Sequence, residues 1–438
     1  MKISRREALM SALFGAGYVG LRALATGLPA TFLLNPRRAL AAVGTGACAD
    51  PTKAQYVILA TSGNGDPINA NVPGTYDDKN ITHSLDPQMA ATKLTIAGQP
   101  LTAAAPWATL PQSVLDRTAF FHLMTNTPVH PKETDVLKLM GATTQAEMLP
   151  SVLAKQLAPC LGTVQTQPIT IGATSPSEGL MFGGQALPII PPLSLKDTLA
   201  STPGPLTNLQ ALRDQTLNQL NDLYKNGASQ AQRAYIDALV TSQKQIRNIN
   251  QDLLAQLSSI SDNTITSQIT AALALVQMKV TPVVAIHIPF GGDNHHDAAL
   301  ATETAQTVSG VAAIGSLMAG LASASLQDQV SFVSLNVFGR TLGPANTDGR
   351  QHNQNHQVSI AIGKPFKGGV IGAIAPVQGD YGALPIDSKT GQGTAGGDIA
   401  AIDTLASFGK TTLAAVGVDP ATINSVITSG TIISGALT

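Results

Sequence analysis

The window spanning residues 282–356 limits the fold more than any other part of the chain. A short apolar run, residues 282–288, breaks at Gly291-Gly292-Asp293-Asn294-His295-His296-Asp297. A helix-length stretch rich in Ala, Gly and Ser follows over 298–324, and then a second apolar run over 330–337. Strand, loop, helix and strand in that order predict a right-handed βαβ unit with parallel strands. The small residues let the helix pack closely on a sheet. The second run ends in Phe338-Gly339-Arg340-Thr341, and the window closes on Gly349-Arg350-Gln351-His352-Asn353-Gln354-Asn355-His356. Five of the chain's eight histidines fall here, four of them in two strand-end loops, so chemistry is sought here first.

Further runs of strand length lie at 55–60, 118–124, 168–172, 357–363 and 368–372, bounded by Gly, Pro, Asn and Asp. Amphipathic spacing predicts helices over 133–140 and 403–416. From about 206 to 278 apolar residues recur at helical spacing, among them Leu209, Leu212, Leu220, Leu239, Ile246 and Leu253, which reads as a helical insertion covering one side of the sheet. The Gly-rich segment 381–398 reads as loop, and the uncharged tail 423–438 has no clear assignment. The expectation is α/β: one domain over 42–438 with a mostly parallel central sheet flanked by helices.

Residues 1–41 read differently. Ser4-Arg5-Arg6 followed by Ala8-Leu9 resembles a twin-arginine export signal, and Arg37-Arg38-Ala39-Leu40-Ala41 offers a cleavage site after Ala41. Arg22 interrupts the apolar region, so no stable membrane span is expected after cleavage. The twin-arginine export machinery is the implied partner and the periplasm or exterior the implied destination. Cys48 and Cys160, the only cysteines, allow one disulfide in such a compartment, although spacing does not establish that they meet. The leader holds six basic residues and Glu7, so the remaining chain carries about −6. No basic patch argues for nucleic acid. Charged residues make up only 12% of the chain, about half the usual ~25%, so the polar surface rests on Ser, Thr, Asn and Gln.

In an open parallel sheet the loops after the strands lie on one edge, where residues distant in sequence converge. Asp66, Asp293, His295, His352 and His356 are all expected in such loops. Carboxylates and imidazoles together suit a divalent metal such as zinc, manganese or magnesium. Asp66 also fits a turn in which it bonds nearby backbone. His130, in a strand-to-helix loop, is open to either role, and His122, within an apolar run, reads as a core histidine.

The ordered motifs resemble those of the domain-of-unknown-function family 1501, exported proteins grouped with the alkaline-phosphatase and sulfatase fold. Residues 62–73, Ser-Gly-Asn-Gly-Asp-Pro-Ile-Asn-Ala-Asn-Val-Pro, resemble its opening G-G-x-D-G-L-N-x-x-V-P. Gly291-Gly292-Asp293-Asn294-His295 resembles G-W-D-T-H, Phe338-Gly339-Arg340-Thr341 matches F-G-R-T, and Gly349-Arg350-Gln351-His352 resembles G-R-D-H. The resemblance runs from about 55 to 419 and implies an alkaline-phosphatase-like sheet with Asp66, Asp293, His295 and His352 as metal ligands. Arg340 or Arg350 would hold an oxyanion, and Thr127 is a positional candidate for the nucleophile. Two departures bear on the metal: Val337 stands where the family commonly has Glu, and Gln351 where it has Asp. Two functions follow. One is a metal-dependent hydrolase of phosphate or sulfate esters, acting on a small-molecule ester. The other is an exported binding or assembly protein that keeps the fold with weak or no catalysis.

Overall fold

The computed structural model describes residues 55–62, 67–163, 165–172, 179–199, 251–288, 290, 294–343 and 348–438, with isolated positions between 215 and 233. The leader 1–41 and Cys48 lie outside them, as does about half of the segment read as an insertion.

Seven strands form the central sheet: β1 (Tyr56–Ser62), β2 (Thr118–Leu123), β3 (Ile169–Thr170), β4 (Val283–Ile286), β5 (Val330–Asn336), β6 (Gln357–Ile362) and β7 (Gly369–Ile371). Their order is β7-β2-β6-β5-β1-β4-β3. All neighbours are parallel except the two pairs made by β6, which runs against both β2 and β5. Reversal of that one strand places its start, and the residues just before it, at the edge where the other six strands end. The expected unit is present as two parallel strands, β4 and β5, connected through a helix, but β1 lies between them.

Helices cover both faces: α1 (Leu149–Leu161), α2 (Ile265–Gln277), α3 (Ala301–Ser323) and α4 (Thr404–Ala415). Side chains alternate across each strand, and the two faces feed separate cores. Tyr56, Ile58, Phe120, Val284, Ile286 and Phe332 join α2 and α3 in one. Val57, Leu59, Phe121, Val283, Val333 and Leu335 join α1 and α4 in the other. Burial on both faces is why the strands read as apolar runs rather than as alternation. β6 departs from this, since Gln357 and Ser359 are buried, bonded to each other at 2.9 Å rather than facing water.

Several elements differ from the sequence reading. Helix α1 carries no clear signal because prolines punctuate it. Pro150 is tolerated in the first turn, and Gly162 closes the helix in the left-handed conformation, its N–H bonding Ala158 O at 3.0 Å. A hairpin of Ala91–Ile96 and Gln99–Ala104 turns at Ala97 and Gly98, both at positive φ. Asp380–Ala383, which enters the segment 381–398 read as loop, pairs with Ile374–Val377. The tail is interior, with Ile423, Ile427, Ile433 and Ala436 completing the second core. Helix α2, placed at the end of the insertion by sequence, belongs to the layer on the sheet. Among the described residues α3 alone is long and apolar enough to cross a bilayer, yet its Val311, Ile314, Leu317 and Leu321 are buried in the first core.

Candidate metal centre

The loops at the carboxyl edge set the site. β5 and β6 share only two register pairs, Ala361 with Val333 and Ile362 with Phe332. Toward the carboxyl edge side chains replace the ladder: Ile360 N–H donates to Ser334 Oγ at 2.8 Å, and Asn336 Nδ2 donates to Val358 O at 3.4 Å. Beyond β5 the chain turns into a short ribbon in which Gly339–Arg340 pairs with His352–Asn353. Only glycine fits at 339, where a Cβ would stand 1.9 Å from the His356 carbonyl oxygen.

Three half-buried histidines from three loops meet here. His130 follows β2, His295 follows β4, and His352 lies on the ribbon. One ring nitrogen from each lies within 4.8 Å of the others. Phe338 stacks on His352 with centroids 4.1 Å apart and meets His130 edge-on at 5.0 Å. Arg340, fully buried, brings Nη1 to 3.4 Å from His295 Nε2.

Proton positions in this trio conflict. His352 Nδ1 donates to the Pro128 carbonyl, which leaves Nε2 as a bare lone pair in the neutral ring. That lone pair faces His295 Nε2 at 2.9 Å. If His295 Nε2 is protonated it satisfies His352 but meets the Arg340 donor head-on; if it is not, two lone pairs oppose each other. A cation accepting from the rings removes the conflict. A ring held through its other nitrogen by a backbone carbonyl is the usual posture of a metal-ligating histidine. Burial holds the His352 pKa below its ordinary value, and the nearby Arg340, His130 and His295 push it the same way, against the bond to Pro128. The His352 ring is thus favoured in the neutral form a metal requires.

A second histidine pair, deeper in the fold, shows no such conflict. His122, on β2, donates from Nε2 to Pro73 O at 2.9 Å, so its Nδ1 accepts from His356 Nε2 at 2.9 Å. His356 Nδ1 then accepts from Asn69 Nδ2 at 3.3 Å, and Asn69 also donates to Arg340 O at 2.7 Å. Both rings are fully buried and neutral; burial pushes His122 down to about 4 and His356 well below the usual value.

Of the residues singled out from sequence, His295 and His352 come together, and Arg340 stands beside them. His356 does not join them as a ligand, because both its ring nitrogens are engaged in the buried pair. Arg350 does not reach an oxyanion position either. Its guanidinium is turned inward onto Glu303 and onto the carbonyls of Thr341 and Thr82. Thr127 is buried with no hydrogen-bond partner for its hydroxyl among the described residues, one position before Pro128. Asp66 and Asp293 lie outside the described residues. Val337 is fully buried in the second apolar core, so it contributes no donor. His130 was only an open candidate in the sequence, and Phe338 carried no role of its own beyond the F-G-R-T motif. A cavity of about 300 Å³ lies elsewhere, lined by Thr82, His83, Leu85, Leu300, Gly349 and Arg350 and by none of the three histidines. The convergence of ionisable groups, not the size of that cavity, places the site at the trio.

No family model and no curated protein sequence matches the chain. Among solved structures, one titled "Crystal structure of Ps i-CgsB" aligns with 12% identity and a TM-score of 0.35 over 84% of this chain and 74% of that one. A likeness at that level carries no argument about fold or function.

Proposed function

We propose that the protein is an exported, metal-dependent hydrolase of phosphate or sulfate esters on an alkaline-phosphatase-like sheet. The observation that carries this reading is the meeting of His130, His295 and His352 within 4.8 Å at the carboxyl edge, with a buried arginine alongside. Three imidazoles suit zinc better than magnesium, which prefers oxygen ligands. Asp66 and Asp293 are the carboxylates that the motif resemblance would add. A bound divalent ion would supply Lewis acidity toward an ester oxygen. The remaining roles fall to the chain itself. The Arg340 guanidinium would hold the charged ester group in the planar, two-pronged manner that suits such oxyanions. Thr127 is the hydroxyl we assign to attack, since it has no other partner among the described residues. The twin-arginine leader would carry the folded protein out, and the substrate is a small ester.

Val337 favours a second reading, in which the same site binds an anion with little or no turnover. A buried alkyl group where the resembling family commonly has Glu removes one anionic donor, and Gln351 removes another, so the cation balance of a two-metal site is lost. One experiment separates the readings. Metal-loaded protein is assayed against a panel of aryl phosphate and aryl sulfate esters, with Arg340→Ala beside it. The hydrolase reading expects turnover that falls by about 10²–10³ in the variant, the range for loss of an anion-stabilising donor. Metal-loaded protein with no turnover on any ester, yet with phosphate or sulfate binding lost in Arg340→Ala, supports the binding protein instead.

A further inference from the structure

We propose that Glu303 and Arg350 form a buried positioning pair that sets the mutual placement of the loops bearing His295, Arg340 and His352; the inference deepens the metal reading above. Glu303 stands in the first turn of α3 and is fully buried, while Arg350 precedes His352 by two residues. Their contact is two-pronged, Arg350 Nε to Glu303 Oε2 at 2.5 Å and Nη2 to Oε1 at 3.1 Å. The other contacts of the pair reach each site loop in turn. Glu303 Oε2 accepts from Asn294 Nδ2 at 3.3 Å, next to His295, and Arg350 N–H donates to Asn294 O at 3.0 Å. Arg350 Nη1 donates to Thr341 O at 2.6 Å, next to Arg340, and Nη2 donates to Thr82 O at 2.6 Å. Glu303 Oε1 accepts from Asn71 Nδ2 at 2.9 Å, in the segment after β1. Thr341 and Gln351 close the arrangement through Thr341 N–H to Gln351 O and Gln351 N–H to Thr341 Oγ1, both 3.0 Å.

One ion pair therefore touches the immediate neighbours of His295 and Arg340, and its own Arg350 stands two residues before His352. A buried pair is weak as a source of net stability, because desolvation offsets its attraction, and its best-attested use is to fix register. Gly349 shows how close the fit is, since a Cβ there would lie 2.1 Å from Asn294 O. Neither Glu303 nor Arg350 contacts the histidine trio, so both are positioning residues, acting through the loops.

The test uses the full chain with Glu303→Gln and Arg350→Lys, and with Lys410→Met as a control. Lys410 is buried in the helix layer on the opposite face of the sheet, where it bonds Asn424 at 2.8 Å. Amide exchange is followed by mass spectrometry in metal-free protein, and zinc affinity is measured by chelator competition. The expected result for Glu303→Gln is faster exchange, by at least about 10-fold, at Thr341, Arg350 and Gln351 together, with Val57 in β1 unchanged. Zinc affinity should fall by about 10–100-fold, the range for lost outer-sphere support. Arg350→Lys keeps the charge but not the fork and should fall between wild type and Glu303→Gln. Lys410→Met should leave the three amides and the zinc affinity as they are. Exchange unchanged at the three amides, or raised equally at Val57, overturns the proposal. A wild-type chain that takes up no zinc removes the metal reading, and the exchange pattern then decides the positioning pair by itself.

Discussion

Two histidine clusters with the same ring-to-ring nitrogen distance behave oppositely in this fold. His122 and His356 touch at 2.9 Å deep beside the sheet, and His295 and His352 touch at 2.9 Å near its carboxyl edge. In the deep pair every proton has one place to go, from Asn69 through both rings to the Pro73 carbonyl. In the shallow trio, with both rings neutral, no placement of the protons suits the contacts of His295 Nε2 with His352 and Arg340 together. A closed network of this kind specifies a core, whereas ring nitrogens that face one another as lone pairs form a set of donors that suits a cation. Proximity of histidines is therefore no guide to metal binding until their hydrogen-bond partners are counted.

The comparison can be broken by mutation. The largest effect on stability is expected at Val337, fully buried in the second core. Val337→Glu puts a carboxylate into an apolar core and should cost about 3–5 kcal/mol in denaturant unfolding without adding a second metal. If the variant instead keeps its stability and binds two ions, position 337 is a vacant ligand site rather than part of the apolar core.

Next comes the deep pair. His356→Ala removes a fully buried ring and strands the Asn69 donor and the His122 acceptor, so a loss of about 2–4 kcal/mol is expected. His352→Ala in metal-free protein should cost only about 1 kcal/mol or less, because the ring is half-buried and its proton conflict disappears with it. Equal losses from the two substitutions would erase the distinction drawn here.

The deep pair also carries a pH dependence. Burial depresses both pKa values in the folded protein, to about 4 for His122 and well below ordinary for His356, whereas unfolded histidines titrate near 6.5. Between those values the unfolded chain binds more protons, so the stability the pair contributes is complete above about pH 6.5 and is lost as pH falls toward 4. The slope is at most about 1.4 kcal/mol per pH unit for each histidine. His356→Ala should flatten that part of the stability profile, and an unchanged profile would show that the pair does not titrate as described.

Much of this fold was legible because a doubly covered sheet writes itself as apolar runs. β1, β2, β4 and β5 were read within about two residues of their ends for that reason. β6 was found by alternation, which held, but its polar positions face other protein groups instead of water. Helix α1 was missed because prolines at 150 and 159 look like breaks, although tertiary burial of Leu149, Val152, Leu153 and Leu157 supports it. The site was legible only as loops on one edge. Sequence put His295 and His352 together with Arg340, but could not separate His356 from them. All stand in strand-end loops, and only the partners of each ring nitrogen tell them apart. Glu303 was illegible for a related reason, since a lone acid at the start of an apolar helix reads as a dipole-matched residue rather than half of a buried pair. The Arg350 expectation failed with it, because its counter-ion is 47 residues away in sequence.

The shallow trio, and not the deep pair, is proposed to hold a divalent ion. Metal content measured by inductively coupled plasma mass spectrometry on wild type, His352→Ala and His356→Ala, each purified and folded, tests it directly. Bound zinc or a similar ion at about one per chain is expected in wild type, retained in His356→Ala and lost in His352→Ala. Metal lost from His356→Ala but kept by His352→Ala, or absent from folded wild-type protein after zinc is supplied, would contradict it.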